Sequence, residues 1–168
     1  MSETKVILRG PRAGDGDGLA CCWLDAGTYY AAVNPDLFQV PEADSRELEE
    51  WLLHKTSEDT FVVVAEGDDQ VVGFAVAVLQ HPSPAAAKNF VRELSQTRVV
   101  VDILVVQAAY RGQGIGTRLM VAVEEWARSK GASVMLIDTY IESELSVPFY
   151  ERRMGYKRRA VRFRKAFE

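Results

Sequence analysis

The stretch Val101–Met120, VDILVVQAAYRGQGIGTRLM, decides how the rest of the chain is interpreted. It opens with an apolar run that predicts a strand, and it closes with an amphipathic pattern that predicts a helix. Between the two, the segment RGQGIG contains three glycines, Gly112, Gly114 and Gly116. Glycine has no Cβ and adopts backbone conformations that are closed to other residues. The turn therefore predicts that a ligand approaches the backbone closely where the strand gives way to the helix.

Phosphate binding is the first interpretation of such a turn, because the unpaired N–H groups and the dipole at a helix N-terminus attract anions. A P-loop needs a lysine directly after its last glycine, and no lysine follows these glycines. A dinucleotide-binding GxGxxG motif needs its third glycine one residue later than Gly116. Both of these motifs are therefore poor matches.

A third motif fits both the spacing and the context. The pattern Arg111-x-x-Gly114-x-Gly116 resembles the acetyl-coenzyme A (acetyl-CoA) motif of the GNAT family of N-acetyltransferases, written Q/R-x-x-G-x-G/A. Residues 103–120 are similar to a central strand of that family and the helix after it. Ser143–Tyr156, SELSVPFYERRMGY, looks like a later helix. The resemblance covers Phe61 to the C-terminus, and the first sixty residues carry no specific motif.

The resemblance implies one GNAT domain over residues 1–168. Its fold would be mixed α/β, with a mostly antiparallel central sheet flanked by helices and with splayed central strands that form the acetyl-CoA cleft. The residue pattern itself predicts elements in a compatible order. The predicted strands are Lys5–Arg9, Phe61–Glu66, Val71–Leu79, Arg98–Val106, Ala132–Tyr140 and Lys157–Phe167. The predicted helices run from near Gly18 to before Asn34, over 46–56, over Ile115–Lys130 and over Leu145–Met154.

The resemblance also implies a set of cofactor-binding residues. In the family the strand before the glycines bulges and splays, which frees backbone groups for the pantetheine arm and the thioester carbonyl. By position, Leu104 and Val106 would supply those groups. The full set is Leu104, Val105, Val106, Arg111, Gly112, Gln113, Gly114, Ile115, Gly116, Thr117, Ser143 and Ser146.

Two positions depart from the family pattern. Many members have Pro where this chain has Ala108, a change of small expected cost because Pro there only stiffens a turn. Many members have Asn at the position of Ser143, and a serine hydroxyl reaches less far toward the cofactor.

Two residues are candidates for the chemistry. Tyr150 occupies the place of the tyrosine with which many members protonate the coenzyme A thiolate; the alternative is a core tyrosine bonded to backbone. Asp102 lies two residues before Leu104, is expected on the same strand face, and is the candidate base, directly or through water. A salt-bridged or solvated aspartate is the alternative for Asp102. Glu142 and a water chain are alternative bases.

The function implied is transfer of an acetyl group from acetyl-CoA to a primary amine of a small molecule or peptide, without a metal. Direct transfer in a ternary complex is favoured, because neither cysteine lies near the glycine motif. The alternative is a non-catalytic sensor or interaction module that binds acyl-CoA. Residues 26–51, where the acceptor pocket is expected, are acidic and aromatic and suit a cationic amine. A solvated loop with core aromatics explains that composition equally well.

Composition narrows the setting. The 168 residues carry a net charge of −4 and no apolar run long enough to span a bilayer. Adjacent Cys21 and Cys22 are expected to be buried helix residues in a reducing cytoplasm rather than a disulfide. Eight basic residues between Arg152 and Lys165 are interpreted as a charged edge hairpin, and contact with nucleic acid or a phosphorylated ligand is the alternative. We expect neither a nucleic-acid nor a membrane partner. A homodimer is left open.

Overall fold

The computed structural model describes residues 5–167, and the chain forms two compact units, residues 1–138 and 139–168. The first unit contains three helices and five strands within the described residues. The helices are α1 (Gly16–Val33), α2 (Ser45–Lys55) and α3 (Ile115–Ser129). The strands are β1 (Ile7–Arg9), β2 (Thr60–Gly67), β3 (Gln70–Gln80), β4 (Arg98–Val106) and β5 (Val134–Ile137). Short 3₁₀ turns lie at Ala86–Lys88, Arg92–Ser95 and Ala108–Tyr110.

The five strands form one sheet in the order β1-β2-β3-β4-β5. Neighbouring strands are antiparallel from β1 to β4, and β5 is parallel to β4. A parallel pair needs a crossover connection, and α3 supplies it. The prediction of a mixed α/β fold with a mostly antiparallel sheet is therefore confirmed.

Helices cover both faces of this sheet. On one face, Leu19 and Cys22 of α1 and Leu52 of α2 pack into one buried cluster with Phe74 and Val76 of β3. On the other face lies α3, where the ring of Trp126 stacks on Phe61 with their centroids 5.3 Å apart. Because both faces are covered, β2 and β3 are apolar along nearly their whole length rather than alternating.

Local sequence signals determine two of the connections. Asp68 and Asp69, between β2 and β3, both have positive φ, at 51° and 60°. Two such residues are typical of the tight turn that suits the twist of a hairpin. The Asp44 carboxylate accepts a hydrogen bond from the Glu47 N–H at 2.9 Å, so Asp44 is the N-cap of α2.

The second unit departs from prediction. The helix expected over Leu145–Met154 consists of one α-helical turn, α4 (Ser146–Pro148), and a π-helical turn, Phe149–Arg153. The strand expected over Lys157–Phe167 is wrong: these residues contain no strand, and the side chain of Phe163 is 91% exposed. An alternating pattern makes a strand only where a neighbouring strand pairs with it.

Two smaller predictions also need correction. β5 is half the length expected from Ala132–Tyr140, ending at Ile137. Of the two cysteines, Cys22 is buried as predicted, but Cys21 is exposed. Consecutive helix positions lie about 100° apart around the axis, so the two thiols do not share a face. No helix in the described part of the chain is both long and apolar enough to cross a membrane.

Candidate active site

The C-terminal half of β4 extends beyond the end of β5. The two strands pair only from Arg98 to Val101, which faces Ile137, whereas β4 continues to Val106. β4 also contains a bulge at the same point, because Val76 pairs with Ile103 and Ala77 with Val101, leaving Asp102 as an extra residue. The bulge that the family resemblance implies is therefore present, and residues 102–106 of β4 have one edge with no strand paired to it among the described residues, an edge named here the splayed side of β4.

Beyond the end of β5, the backbone N–H and C=O groups of two residues of β4 point toward the splayed side. The N–H of Gln107 donates to the carbonyl of Val72 at 2.9 Å, and Val106 is paired with Gly73. In an antiparallel ladder, residues point their N–H and C=O groups alternately toward and away from one partner strand. The groups of Val105 therefore face β3, and those of Leu104 and Val106 face away from it. Backbone groups in this position suit an extended ligand laid along β4.

The side chains of Val105 and Asp102 both lie on the opposite face of the sheet from the side chain of Leu104. The side chain of Val105 packs against the buried cluster beneath α1 and α2, so neither its backbone nor its side chain faces the splayed side. The bulge shifts the alternation of β4 by one residue, because Leu104 pairs with Ala75 and Val101 pairs with Ala77 on the same face. Asp102 consequently lies beside Ile103, on the face that α1 and α2 cover, and is exposed. The prediction that it shares a face with Leu104 is wrong.

The glycine-rich turn follows β4 after the short segment 107–111. Gly112 and Gly114 have φ of +77° and +79°, in the left-handed region that glycine alone enters without strain. A Cβ built on either residue would meet nothing within 4 Å. Close packing therefore does not explain why glycine occupies these two positions. The left-handed backbone conformation and the open space in front of it do explain it. A diphosphate fits such a cradle, in which the chain presents backbone rather than side chains.

Gly114 is also the N-cap of α3, and no side-chain cap bond is present there. The first hydrogen bond within the helix is donated by the Arg118 N–H to the Gly114 carbonyl, at 3.0 Å. The N–H groups of Ile115 and Gly116, the first two residues of α3, have no helix carbonyl one turn back. The Ile115 side chain is buried, so only its backbone is available to a ligand. Thr117 adds a hydroxyl in the same turn.

Arg111 connects the two parts of this site. Its Nε donates to the carbonyl of Val106 at 3.1 Å, and its guanidinium lies 5.9 Å from the ring centroid of Tyr29. The neighbouring Gln113 is exposed, and its Nε2 donates to the Ala109 carbonyl at 3.4 Å. The Arg111 contact covers one of the two acceptor groups on the splayed side of β4.

Sequence reasoning missed two residues that hold this segment. The side-chain amide of buried Gln107 donates to the carbonyls of Val71 at 2.7 Å and Gly18 at 3.4 Å. The carboxylate of Asp25, in α1, accepts a hydrogen bond from the Ala108 N–H at 2.6 Å. Neither residue belongs to a motif. Only a polar residue directly after an apolar strand marked Gln107 in the sequence.

The second unit contains the remaining predicted residues. Tyr150 is 8% exposed and lies in the π-helical turn, with its ring in edge contact with Phe149 and Tyr156 at 5.1 and 5.9 Å between centroids. Pro148 lacks an N–H, and the turn that follows it is wound more widely, with the Met154 N–H donating to the Phe149 carbonyl. These contacts fix the ring of Tyr150 within its own unit.

Ser143 has a structural role in the same unit. It is buried, and its Oγ accepts a hydrogen bond from the Ser146 N–H at 3.0 Å, which caps the start of α4. The serine therefore uses its short hydroxyl on the chain itself. Glu142, the alternative base, accepts a hydrogen bond from the Tyr140 hydroxyl at 2.8 Å.

Aromatic residues from the last turns of α1 and from the connection to α2 lie together. The rings of Tyr29, Tyr30 and Phe38 form a chain, with successive centroids 5.1 Å apart. A Cβ on Gly27 would lie 2.1 Å from Pro41 Cδ, so glycine at this position lets the connection pack directly on α1. The aromatic residues predicted for the acceptor region are thus brought together.

In this site, β4 extends beyond its parallel neighbour and is connected through an open glycine turn to α3. This arrangement is the one expected of an acyl-CoA-dependent transferase. Comparison with known proteins agrees. The model of the Acetyltransferase (GNAT) family matches residues 22–156. The chain belongs to the GNAT family, and it is an acetyl-CoA-dependent N-acetyltransferase.

Individual relatives are distant. N-alpha-acetyltransferase 30 of Schizosaccharomyces pombe is 26% identical over 117 residues, which is 70% of this chain and 69% of that protein. Glucosamine 6-phosphate N-acetyltransferase of Trypanosoma brucei brucei is 39% identical over 57 residues, which is 34% of this chain and 36% of that protein. The crystal structure of glucosamine-6-phosphate N-acetyltransferase from Arabidopsis thaliana superposes with a TM-score of 0.67 at 15% identity, covering 98% of this chain and 99% of that one.

Proposed function

We propose that the chain transfers the acetyl group of acetyl-CoA directly to a primary amine of a small molecule or peptide, within a ternary complex. One observation supports this most strongly. The outward-facing backbone groups of Leu104 and Val106 lead directly into the open, left-handed turn of Gly112 and Gly114. The backbone groups of β4 would bind the extended pantetheine arm of the donor, and the glycine turn would bind its diphosphate.

The residues divide the binding of the donor between them. Leu104 would hold the pantetheine arm through its backbone N–H and C=O groups, much as a strand would. Val106 would contribute its N–H, because Arg111 already binds the Val106 carbonyl. The N–H groups from Gly112 to Thr117 would hold the diphosphate, where the positive end of the α3 dipole favours an anion. Acetyl-CoA supplies an acetyl group already activated as a thioester.

Two side chains would move the protons. The amine must lose a proton before it attacks, because a free alkylamine has a pKa near ~10. The exposed carboxylate of Asp102 would accept that proton, directly or through water. Tyr150 would donate its phenolic proton to the departing sulfur, a role that rests on the resemblance of Ser143–Tyr156 to the family. Glu142 is the alternative base.

The one-domain prediction is also retained as a proposal. The family match, residues 22–156, extends from the first compact unit into the second. One cooperative unfolding transition of the whole chain in urea, followed by circular dichroism and by fluorescence, would support one domain. Two separate transitions would contradict it.

The experiment that tests the function is release of coenzyme A thiol from acetyl-CoA over a panel of amines. The panel contains peptides with free N-termini and glucosamine 6-phosphate, because similar proteins bear names that refer to these acceptors. It also contains polyamines and aminoglycosides. Exposed Cys21 would react with the thiol reagent, so the assay uses Cys21→Ser beside the unaltered chain.

We expect release with one chemical class of amine and none without an amine. Binding of acetyl-CoA is measured in the same samples by calorimetry. Binding without release across the whole panel would contradict acetyl transfer to these amines, and it would favour the acyl-CoA-binding module instead.

A further inference from the structure

The segment 107–111 joins the splayed end of β4 to the glycine turn, so its position sets the spacing between the two parts of the proposed donor site. Its own backbone closes a 3₁₀ turn, with the Tyr110 N–H bonded to the Gln107 carbonyl at 2.9 Å and the Arg111 N–H bonded to the Ala108 carbonyl at 3.3 Å. A single 3₁₀ turn is a weak element by itself. Contacts with the rest of the unit must therefore hold it in place.

Two of those contacts come from one side of α1. The Gln107 amide reaches the Gly18 carbonyl, and the Ala108 N–H reaches the Asp25 carboxylate at 2.6 Å. Gly18 and Asp25 are seven residues apart and so lie on one face of the helix. A third contact comes from the β2–β3 turn, where Asp68 accepts a hydrogen bond from the Tyr110 hydroxyl at 3.0 Å.

The Asp25 contact depends on the residue at position 108. Proline, which the GNAT resemblance leads one to expect there, has no N–H and would leave the carboxylate without this donor. Alanine supplies the N–H, and the acceptor is an ionised group, which makes the bond stronger than one between neutral partners. The change from Pro to Ala108 is therefore not neutral in this chain. In this chain, the hydrogen bond from the Ala108 N–H to Asp25 of α1 restrains the segment that a proline ring would otherwise stiffen.

We propose that Asp25 is a positioning residue for acetyl-CoA, which holds segment 107–111 so that β4 and the start of α3 bind one donor molecule. The proposal rests on the proposed function, since it takes the glycine turn to be the diphosphate site. Asp25 acts through the Ala108 N–H and touches neither donor nor acceptor.

The test measures the Kd of coenzyme A by calorimetry and, separately, kcat at saturating acetyl-CoA. For Asp25→Ala we expect the Kd to rise about tenfold, the effect of losing one charge-assisted hydrogen bond. The kcat is expected to stay within about twofold, because the reacting groups are unchanged once the donor is bound. Asp25→Asn keeps an oxygen acceptor and should restore most of the affinity.

The matched control is Asp17→Ala, the same substitution at an exposed position in the first turn of the same helix. It should leave the Kd within about twofold of the unaltered chain. An unchanged Kd in Asp25→Ala, or an equal rise in both variants, would overturn the proposal. If the unaltered chain fails to bind coenzyme A, the proposed function fails instead, so the two failures are distinguishable.

A second variant guards against misfolding of Asp25→Ala. Ala108→Pro removes the donor instead of the acceptor, and the backbone already suits it: Gln107 has ψ of 140°, the extended conformation that a residue before proline prefers. In the Ala108→Pro background, Asp25→Ala should change the Kd by less than about twofold, because the bond is already absent. A further tenfold rise there would show that Asp25 acts by another route.

Discussion

Replacement of Gly114 by alanine separates the structural cost of the glycine turn from its role in binding. Gly114 has φ of +79°, and an added Cβ would meet no atom of the chain within 4 Å. Alanine in that left-handed conformation costs about 1 kcal/mol of folding free energy. In a chain of this length, such a loss lowers the melting temperature by about 2–4 °C.

The expected effect on binding is larger. The Cβ would occupy open space at the α3 N-terminus. The diphosphate is proposed to accept hydrogen bonds from backbone N–H groups there. Loss of one such charge-assisted bond costs about 1.5–3 kcal/mol. The Kd of coenzyme A should therefore rise at least about tenfold in Gly114→Ala. Calorimetric titration of the folded variant measures this directly.

Gly131, just beyond the other end of α3, provides a matched control. Its φ is +74°, and a Cβ there would also meet nothing within 4 Å. Gly131→Ala should lose the same stability and leave the Kd of coenzyme A within about twofold. If the two variants bind coenzyme A equally well, the open turn at Gly114 serves only the backbone, and the diphosphate does not bind there.

Three further predictions concern other parts of the chain. Tyr150→Phe should lower kcat about a hundredfold with an unchanged Kd of coenzyme A, and an unchanged kcat would remove the tyrosine from the mechanism. Asp102→Asn should lower kcat/KM at neutral pH, and the difference in kcat/KM from the unaltered chain should narrow as the pH approaches the pKa of the amine, about 10. A difference in kcat/KM that does not vary with pH would argue against a base. Burial raises the pKa of the Cys22 thiol to about 12, so the native chain at pH 8 should show one fast-reacting thiol, that of Cys21, and a second only after unfolding. Two fast thiols would contradict this placement.

The best-predicted elements are those whose signals are local. The predicted strand Arg98–Val106 has the bounds of β4, and the predicted helix Ile115–Lys130 differs from α3 by its last residue. An unbroken apolar run, a glycine turn and a glycine after the last helical turn mark these bounds within a few residues of sequence. The fold and the diphosphate half of the site follow from this stretch.

The strand prediction for the C-terminal residues fails because its signal is not sufficient locally. Lys157–Phe167 alternates as a strand does, yet alternation specifies only which side chains would share a face. Whether a strand forms depends on a partner whose identity no local pattern contains. The broken helix around Pro148 is a milder case, because the sequence shows the missing N–H but not the wider π-helical turn that follows it.

The bulge at Asp102 shows most directly what a pattern of period two cannot contain. One extra residue in β4 moves Asp102 from the face of Leu104 to the face covered by α1 and α2, and nothing in VVVDILVV indicates it. The consequence is chemical. The same bulge that directs the backbone groups of Leu104 and Val106 toward the donor side places the candidate base on the face covered by α1, the helix that contains Tyr30. Asp102 thus lies on the face of the sheet that α1 and α2 cover, so its role as the base stays a prediction, while the reason first given for it, a shared face with Leu104, is wrong.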